Sequence, residues 1–481
     1  MTEESPSLLA SFLTKRATLV TFIINILVSF GIGSTVGIVP EILSDRYARI
    51  YHDYDGPDCS TFQYDAMPKA CEHGADDAQS ASAMGTLFLN LLTLFFSPVV
   101  GSMSDVHGRR IPIIIGVFLC ILSPVLLILL QLIPTMRPIW YYAANSSVGI
   151  VPYTSIMFAA ISDVVPENIR APSFAILLAG FYTGFALSPS FAPLLGRFSA
   201  SLLSSFLVFV AFLVSLLFLP ETLPNSLETS RSISSEEEIQ ESAEDSKIFS
   251  VIITAASRPF REATILHRNM IMRLLAMASF FASMVYSTDA SLVIYYVENH
   301  LNIRDKDIAN MFLVMGCVGI VMQAFLLQPF IKCMGEKGLL VACFLSGTIH
   351  NFLYGAAKGK AGIYVALCLS QFTKLNYPML SSVASKGALE SEQGQVQGAL
   401  FATNALAAAI GPVLMQLVYD HTKDNSMGPG TMFILASCLY FTGMIAVSFI
   451  PLKDTRDDSI SDEGLEEPLL EPELMTANEP N

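Results

Sequence analysis

Gly101-Ser102-Met103-Ser104-Asp105-Val106-His107-Gly108-Arg109-Arg110 separates two apolar runs, 83–103 and 111–133. Each run has the length, close to twenty residues, and the poverty of charge that a helix needs to cross bilayer hydrocarbon. The segment between them leaves room only for a tight reversal. Gly101 and Gly108 permit that turn and a close helix approach. Asp105 is placed to face the positive N-terminal end of a neighbouring helix, and Arg109 and Arg110 are placed to anchor at lipid headgroups. Two apolar spans joined by a short basic loop point to a multi-pass helical membrane protein.

The same pattern extends along the chain. Of 481 residues, 52% are apolar and only 14% charged, where a soluble domain would carry about a quarter charged residues. The sequence predicts twelve spans, near 17–42, 83–103, 111–133, 139–161, 171–196, 200–220, 270–297, 308–331, 338–357, 361–383, 396–419 and 430–451. No period-two alternation suggests a barrel, and backbone groups in hydrocarbon must be satisfied within their own segment, so these read as helices. The expected organisation is a cytoplasmic N-terminus (1–16), a first six-helix bundle (17–220), a cytoplasmic central loop (221–269), a second six-helix bundle (270–451) and an acidic tail (452–481). Within the central loop, Ser234-Ser235-Glu236-Glu237-Glu238 is too polar to bury and reads as a disordered linker.

Charge sets the expected orientation. Of the 27 Lys and Arg residues, 16 fall on the side that holds both termini and 10 on the other, with Lys374 inside a span. Arg109, Arg110 and Arg170 mark the short loops of the richer side, so both termini are expected in the cytoplasm. The net charge of −15 is gathered in the loop after the first span, the central loop and the tail, as solvated acidic segments would be. No basic patch with interleaved aromatics invites nucleic acid. The first apolar run is long enough to span rather than to be cleaved. Cys59 and Cys71 lie in the polar loop 43–82, on the exoplasmic side, where a disulfide is permitted and two free thiols are the alternative. The other six cysteines lie in or beside apolar segments as packing residues, and no C-x-x-C or His cluster offers a metal site.

An internal repeat runs through the chain. Lys332-Cys333-Met334-Gly335-Glu336-Lys337 is a worn copy of the 101–110 loop, with Gly335 lying 227 positions after Gly108. Asp163 and Arg170 stand 227 positions before Glu390 and Gln397, and Ser188-Pro189 stands 223 before Gly411-Pro412. A nearly constant offset implies duplicated halves with a site at the midplane between them. The G-x-x-x-D-x-x-G-R-R spacing resembles the signature loop of the major facilitator superfamily, with Val106 where that family usually carries a basic residue. Within it the chain resembles the tetracycline-resistance-like and hippocampus-abundant-transcript-like group. The residues concerned are Ile161 to Glu167 with Arg170, Leu219-Pro220-Glu221-Thr222-Leu223-Pro224, and Glu392 to Leu400. The resemblance implies an all-α integral membrane fold of twelve transmembrane helices in two pseudo-symmetric six-helix bundles. It also implies that spans one, four, seven and ten surround a central cavity, and that Gly101, Asp105, Gly108, Arg109, Arg110, Asp163 and Arg170 form a conformational switch. Gly184-x-x-x-Ser188-Pro189 departs from the family's antiporter motif, which weakens an assignment of proton antiport.

Charges inside spans are costly and mark functional candidates. Asp289 and Lys374 are expected to form a coupled pair, serving either as a helix tether or as a proton or substrate site. Glu41 is a further cavity candidate, with an exposed helix end as the alternative. Asn376, Gln371, Asn145, Asn25, Gln323 and Asn404 hydrogen-bond either a substrate or a neighbouring helix. His350 reads as a packing histidine, with a proton relay as the alternative. Asn145-Ser146-Ser147 follows Trp140-Tyr141-Tyr142, an interfacial belt too deep for glycosylation. Glu466-Glu467-Pro468-Leu469-Leu470 resembles an acidic dileucine sorting signal, so the expected location is the plasma membrane or an endosomal or vacuolar membrane. The expected function is secondary transport of a small solute by alternating access, proton-coupled or facilitative. The alternative is a non-transporting receptor that keeps the fold. Expected partners are the solute, protons where coupling operates, and the lipid bilayer, with the chain acting as a monomer. No cofactor, catalytic residue or Walker motif is expected.

Overall fold

The computed structural model describes residues 15–62, 66–165, 173, 176–177, 180–185, 187–188, 192–223, 264–301, 303, 305–322, 326–376, 379–380, 383–384, 393–426 and 428–450. Arg170, Gln323, Glu390, the central Ser/Glu stretch and the dileucine sequence lie outside the described residues, as do the side chains of Asp105 and Gln397.

The first half contributes α1 (Arg16–Gly33), α2 (Val39–Tyr51), α3 (Lys69–His107), α4 (Arg110–Leu132), α5 (Ile139–Ser147), α6 (Tyr153–Val164) and α7 (Arg197–Phe218). The second half contributes α8 (Met270–Leu301), α9 (Asp305–Val321), α10 (Leu327–Ala356), α11 (Lys360–Thr373), α12 (Gln393–Thr422) and α13 (Thr431–Ser448). Among the described residues, nine helical segments are long and apolar enough to cross a bilayer, with a shorter apolar helix at Asp307–Gly319. Buried apolar side chains gather in two large clusters. One is drawn from residues 20–219, and the other from 265–450 with Ala83 added.

Several predicted boundaries shift, each for a local reason. The predicted span 17–42 breaks after Gly33, and α2 restarts at Val39 with Pro40 in its first turn, where a missing N–H costs nothing. The predicted loop 43–82 is largely helical, because α2 runs on to Tyr51 and α3 begins at Lys69. Those extensions are amphipathic and bury one face only: Leu43, Tyr47 and Ala48 against Cys71, Ala75 and Ala78. A window that averages hydropathy cannot register one buried face. The predicted span 139–161 is interrupted at Val148–Ile150 and Pro152. In the predicted span 361–383, α11 ends at Thr373 and the chain turns at Lys374.

The repeat has structural counterparts. Ser188 lies against α1, where a Cβ built on Gly33 would stand 2.1 Å from its Oγ. Gly411 lies against α8, where its own Cβ would stand 2.2 Å from the Met284 carbonyl. Each of the two repeat positions thus abuts the first long helix of its own half. Between the halves, α3 packs along α12 and α8. At 39 residues α3 is roughly 58 Å long, so it carries Cys71 near one end of the molecule and the 101–110 loop at the other.

Candidate functional site

At the 101–110 end, Gly108 adopts φ +99°, which frees the following backbone to open α4. Glu221 covers that helix start. Its Oε1 accepts from the Arg109 N–H (2.8 Å), and its Oε2 from the Arg110 N–H (3.1 Å). The N–H groups of Thr222 and Leu223 also donate to Oε1, at 2.9 and 3.1 Å. Burial pushes the Glu221 carboxyl up, but these backbone donors outweigh it and hold the group below the usual carboxylate range. The Arg109 guanidinium donates from Nε to Asp163 (3.1 Å) and from Nη1 to Ser104 (2.8 Å), while Thr222 donates to the same Asp163 oxygen (3.2 Å). Arg110 turns away and donates to the Leu216 carbonyl at 2.8 Å. Of the expected switch residues, the structure therefore joins Arg109 to Asp163 and adds Glu221, Thr222 and Ser104. Gly101 has open space where a side chain would be. Glu221 was legible only as part of a resemblance, although an acid just past an apolar span is a plausible helix-end partner.

At the opposite end, Cys59 and Cys71 form a disulfide with Cα atoms 5.5 Å apart. The residues beside it reach across the first half. Arg197, at the start of α7, pairs with Glu41 (2.6 Å) and Asp58 (2.6 Å) and donates to the Ser60 hydroxyl. Glu41 is buried in the first turn of α2, not at an exposed helix end. Burial pushes the Asp58 carboxyl up, but Arg197 and the Ser60 donors outweigh it, leaving it below its ordinary value. Polar contacts also tie the halves together here. Gln79 donates to Gln416 (2.8 Å), Tyr419 donates to Asp76 (2.8 Å), Tyr142 and Tyr295 share a hydroxyl contact of 2.9 Å, and Lys423 pairs with Asp76. A cavity of about 30 Å³ lies among Glu72, Asp76, His300, Tyr419 and Lys423, room for a single water.

Asp289 and Lys374 do not form the expected ion pair. Asp289 Oδ2, on α8, meets His350 Nε2 of α10 at 3.2 Å, and its Oδ1 is buried without a hydrogen bond. His350 is fully buried. Its Nδ1 faces the Ser346 carbonyl at 3.1 Å and so must carry hydrogen. Asn351 Nδ2, which also donates to the Gly347 carbonyl, lies 2.9 Å from His350 Nε2. Nε2 therefore either carries a proton toward Asp289 or accepts from Asn351 while Asp289 itself is protonated. The pair holds one proton in both arrangements. The rings of Tyr354 and Tyr440 enclose the imidazole. A lone histidine in an apolar helix is commonly a packing residue; here its ring also meets a carboxylate of α8 that lies among apolar residues.

Lys374 follows the end of α11, and the turn there directs its ammonium toward the first half, with Nζ 5.3 Å from the Tyr182 ring centroid. Gln371 is buried; its Nε2 donates to the Leu367 carbonyl (3.1 Å) and its Oε1 accepts nothing. Asn376 is buried beside Tyr440. Asn145 is half-buried near the end of α5. Asn25 and Asn404 make interhelical bonds, to the Leu177 carbonyl (2.9 Å) and from the Ser279 hydroxyl (2.6 Å).

Comparison with known proteins covers most of the chain. A family model described as Major Facilitator Superfamily matches residues 21–412. The Hippocampus abundant transcript 1 protein of Homo sapiens is 22% identical over 388 residues, spanning 75% of this chain and 75% of the relative. The class E tetracycline resistance protein of Escherichia coli is 24% identical over 366 residues, spanning 75% of this chain and 83% of the relative. The crystal structure of the human organic anion transporter MFSD10 (TETRAN) is similar with a TM-score of 0.63 at 18% identity, covering 92% of this chain and all of that one. A D-xylose–proton symporter structure gives 0.63 at 15% identity, covering 92% and 97%.

Proposed function

This chain belongs to the major facilitator superfamily, and from that premise we propose that it is a secondary transporter that moves a small solute by alternating access and couples it to protons. The observation that carries the coupling is the contact of Asp289 with His350 at 3.2 Å, an acid and a base inside apolar helices. The polar contacts at the disulfide end form the outer seal, and both termini lie in the cytoplasm. A hydrogen bond such as Gln79–Gln416 suits a seal that opens and closes, since it is worth only about 1 kcal/mol net and water replaces it on opening. At the other end, the Arg109–Asp163–Glu221 cluster steadies one state of the first half. Untargeted metabolite comparison of cells with and without the protein would nominate the cargo. Uptake of that solute into proteoliposomes should then respond to an imposed pH gradient. Uptake indifferent to the gradient removes the coupling, and no uptake of any nominated solute sinks the transport reading.

A further inference from the structure

A cavity of about 340 Å³ opens between the first turns of α8, the short turn Thr264–His267 before it, and α12. It lies at the end of α8 away from the seal contacts, because the helix is 32 residues long and its far end carries His300 to Tyr419. The α8 wall follows helical spacing, with Arg273, Ala276, Met277 and Phe280 at i, i+3, i+4 and i+7. That face has a charged mouth and an apolar floor, since Phe280 lies about 10 Å along the axis from Arg273. Leu266 and Thr403 complete the floor, and the Thr403 hydroxyl is already committed to the Ala399 carbonyl at 2.8 Å. Met277 is 38% exposed, so the floor is open at the side. The mouth is cationic. His267 and Arg273 line it, and Arg268 is exposed beside them. From Thr264 to Phe280 the chain has no Asp or Glu, and α12 has none from Gln393 to Tyr419, so neither wall supplies Arg273 with a carboxylate.

We infer that this cavity is a binding site for an anionic phospholipid of the adjoining leaflet. The phosphate meets Arg273 and His267, and part of one acyl chain lies over Ala276, Met277 and Phe280. Charge complementarity selects this occupant. An exposed guanidinium in the first turn of a spanning helix offers paired N–H donors to a phosphodiester at headgroup level. A free phosphate meets the same cations but leaves the apolar floor uncovered. A zwitterionic lipid covers the floor but brings a cation of its own to a mouth that is already positive. That the leaflet is the cytoplasmic one rests on the proposed orientation; the site itself does not.

The full chain in phosphatidylcholine nanodiscs, with phosphatidylglycerol added in steps, provides the test. The melting temperature should climb with the phosphatidylglycerol fraction and level off, and native mass spectrometry should find phosphatidylglycerol retained on the protein. Arg273→Gln should raise the fraction needed for half the shift about fivefold, as the loss of one cation at a lipid surface would. Arg273→Lys should keep most of the shift. Ala276→Leu fills the floor without touching the charge, and it too should weaken retention. Soluble glycerol 3-phosphate should give no shift, which separates a lipid from a free phosphate. Should Arg273→Gln fail to fold, Ala276→Leu and the comparison of lipids on the unchanged protein still decide the matter. No phosphatidylglycerol shift, a shift unaltered in either variant, equal retention of phosphatidylcholine, or a shift produced by glycerol 3-phosphate overturns the inference.

Discussion

Gly108 and Gly335, 227 positions apart, turn the backbone the same way, at φ +99° and +70°. With ψ at 158° and 169° both occupy a region that residues with a Cβ avoid. Gly108→Ala and Gly335→Ala should therefore each cost about 1–3 kcal/mol of stability. Gly108→Ala should also unseat Glu221, since the new methyl would stand 2.3 Å from its Oε2. Thermal unfolding of the two variants checks this; an unchanged midpoint for both would mean the turns are not strained by a side chain.

Glu221 gives a second expectation. Its carboxylate serves the N–H groups of Arg109 and Arg110 at the start of α4, so Glu221→Ala leaves them to water. A loss on the order of 1 kcal/mol is expected, in line with the removal of a helix cap. Turnover should fall while substrate affinity stays nearly constant, because Glu221 engages the turn before α4 rather than Asp289 or Lys374. A large loss of affinity at normal turnover would assign Glu221 to binding.

How much of this was legible follows from what each residue does alone. Apolar length and the 101–110 loop reveal themselves in sequence because hydrocarbon thickness and turn geometry act locally. The offset of 227 anticipated Gly335, since a repeated turn needs a repeated glycine. Pairings did not read so well. Asp289 and Lys374 are the two conspicuous charges, but one turns to a histidine on α10 and the other to a tyrosine of the first half. Those choices depend on helix rotation and on where α11 ends, which no linear spacing encodes. The helical extensions before Tyr51 and after Lys69 were missed because one buried face leaves average hydropathy low.

Arg197 binds both Glu41 and Asp58, and Glu41 is the deeper partner, with its side chain 3% exposed. Glu41→Gln should destabilise by up to about 3 kcal/mol, because the remaining guanidinium keeps only Asp58. The Asp58 contact carries a pH signature. Its carboxyl is held below its unfolded value, so the stability it adds is present above about pH 4 and is lost as pH falls through the folded value. Melting temperature measured below pH 4 should fall less steeply in Asp58→Asn than in the unchanged protein.

Cys59 and Cys71 close a loop that carries Asp58 and Ser60 to Arg197. A twelve-residue separation corresponds to roughly 3 kcal/mol of unfolded-state restraint. A membrane-impermeant maleimide should label this pair only after reduction, and reduction should lower the melting temperature less in Arg197→Gln, where the latch is already gone. Labelling without reductant would show free thiols on the native protein.

The strongest test of coupling lies at Asp289 and His350, because the two arrangements of their shared proton make opposite demands on substitution. Nδ1 of His350 is committed to the Ser346 carbonyl, and Nε2 lies between the Asn351 amide and Asp289. Asp289→Asn offers Nε2 a neutral donor and fixes the imidazole as a neutral acceptor, which imitates the loaded state with no proton to release. That variant should fold, lose uptake driven by a pH gradient, and still exchange solute between equal pools. His350→Gln should behave differently. It keeps the carboxylate but strips it of its base, leaving a buried acid that must bind its own proton to stay in hydrocarbon. Gradient-driven uptake should then survive with an altered pH dependence, since the carboxyl has lost its basic neighbour. Retention of normal gradient-driven uptake by Asp289→Asn would remove the pair from coupling altogether. Glu41, locked to Arg197 at the disulfide end, would be a poor successor, because its charge is already matched.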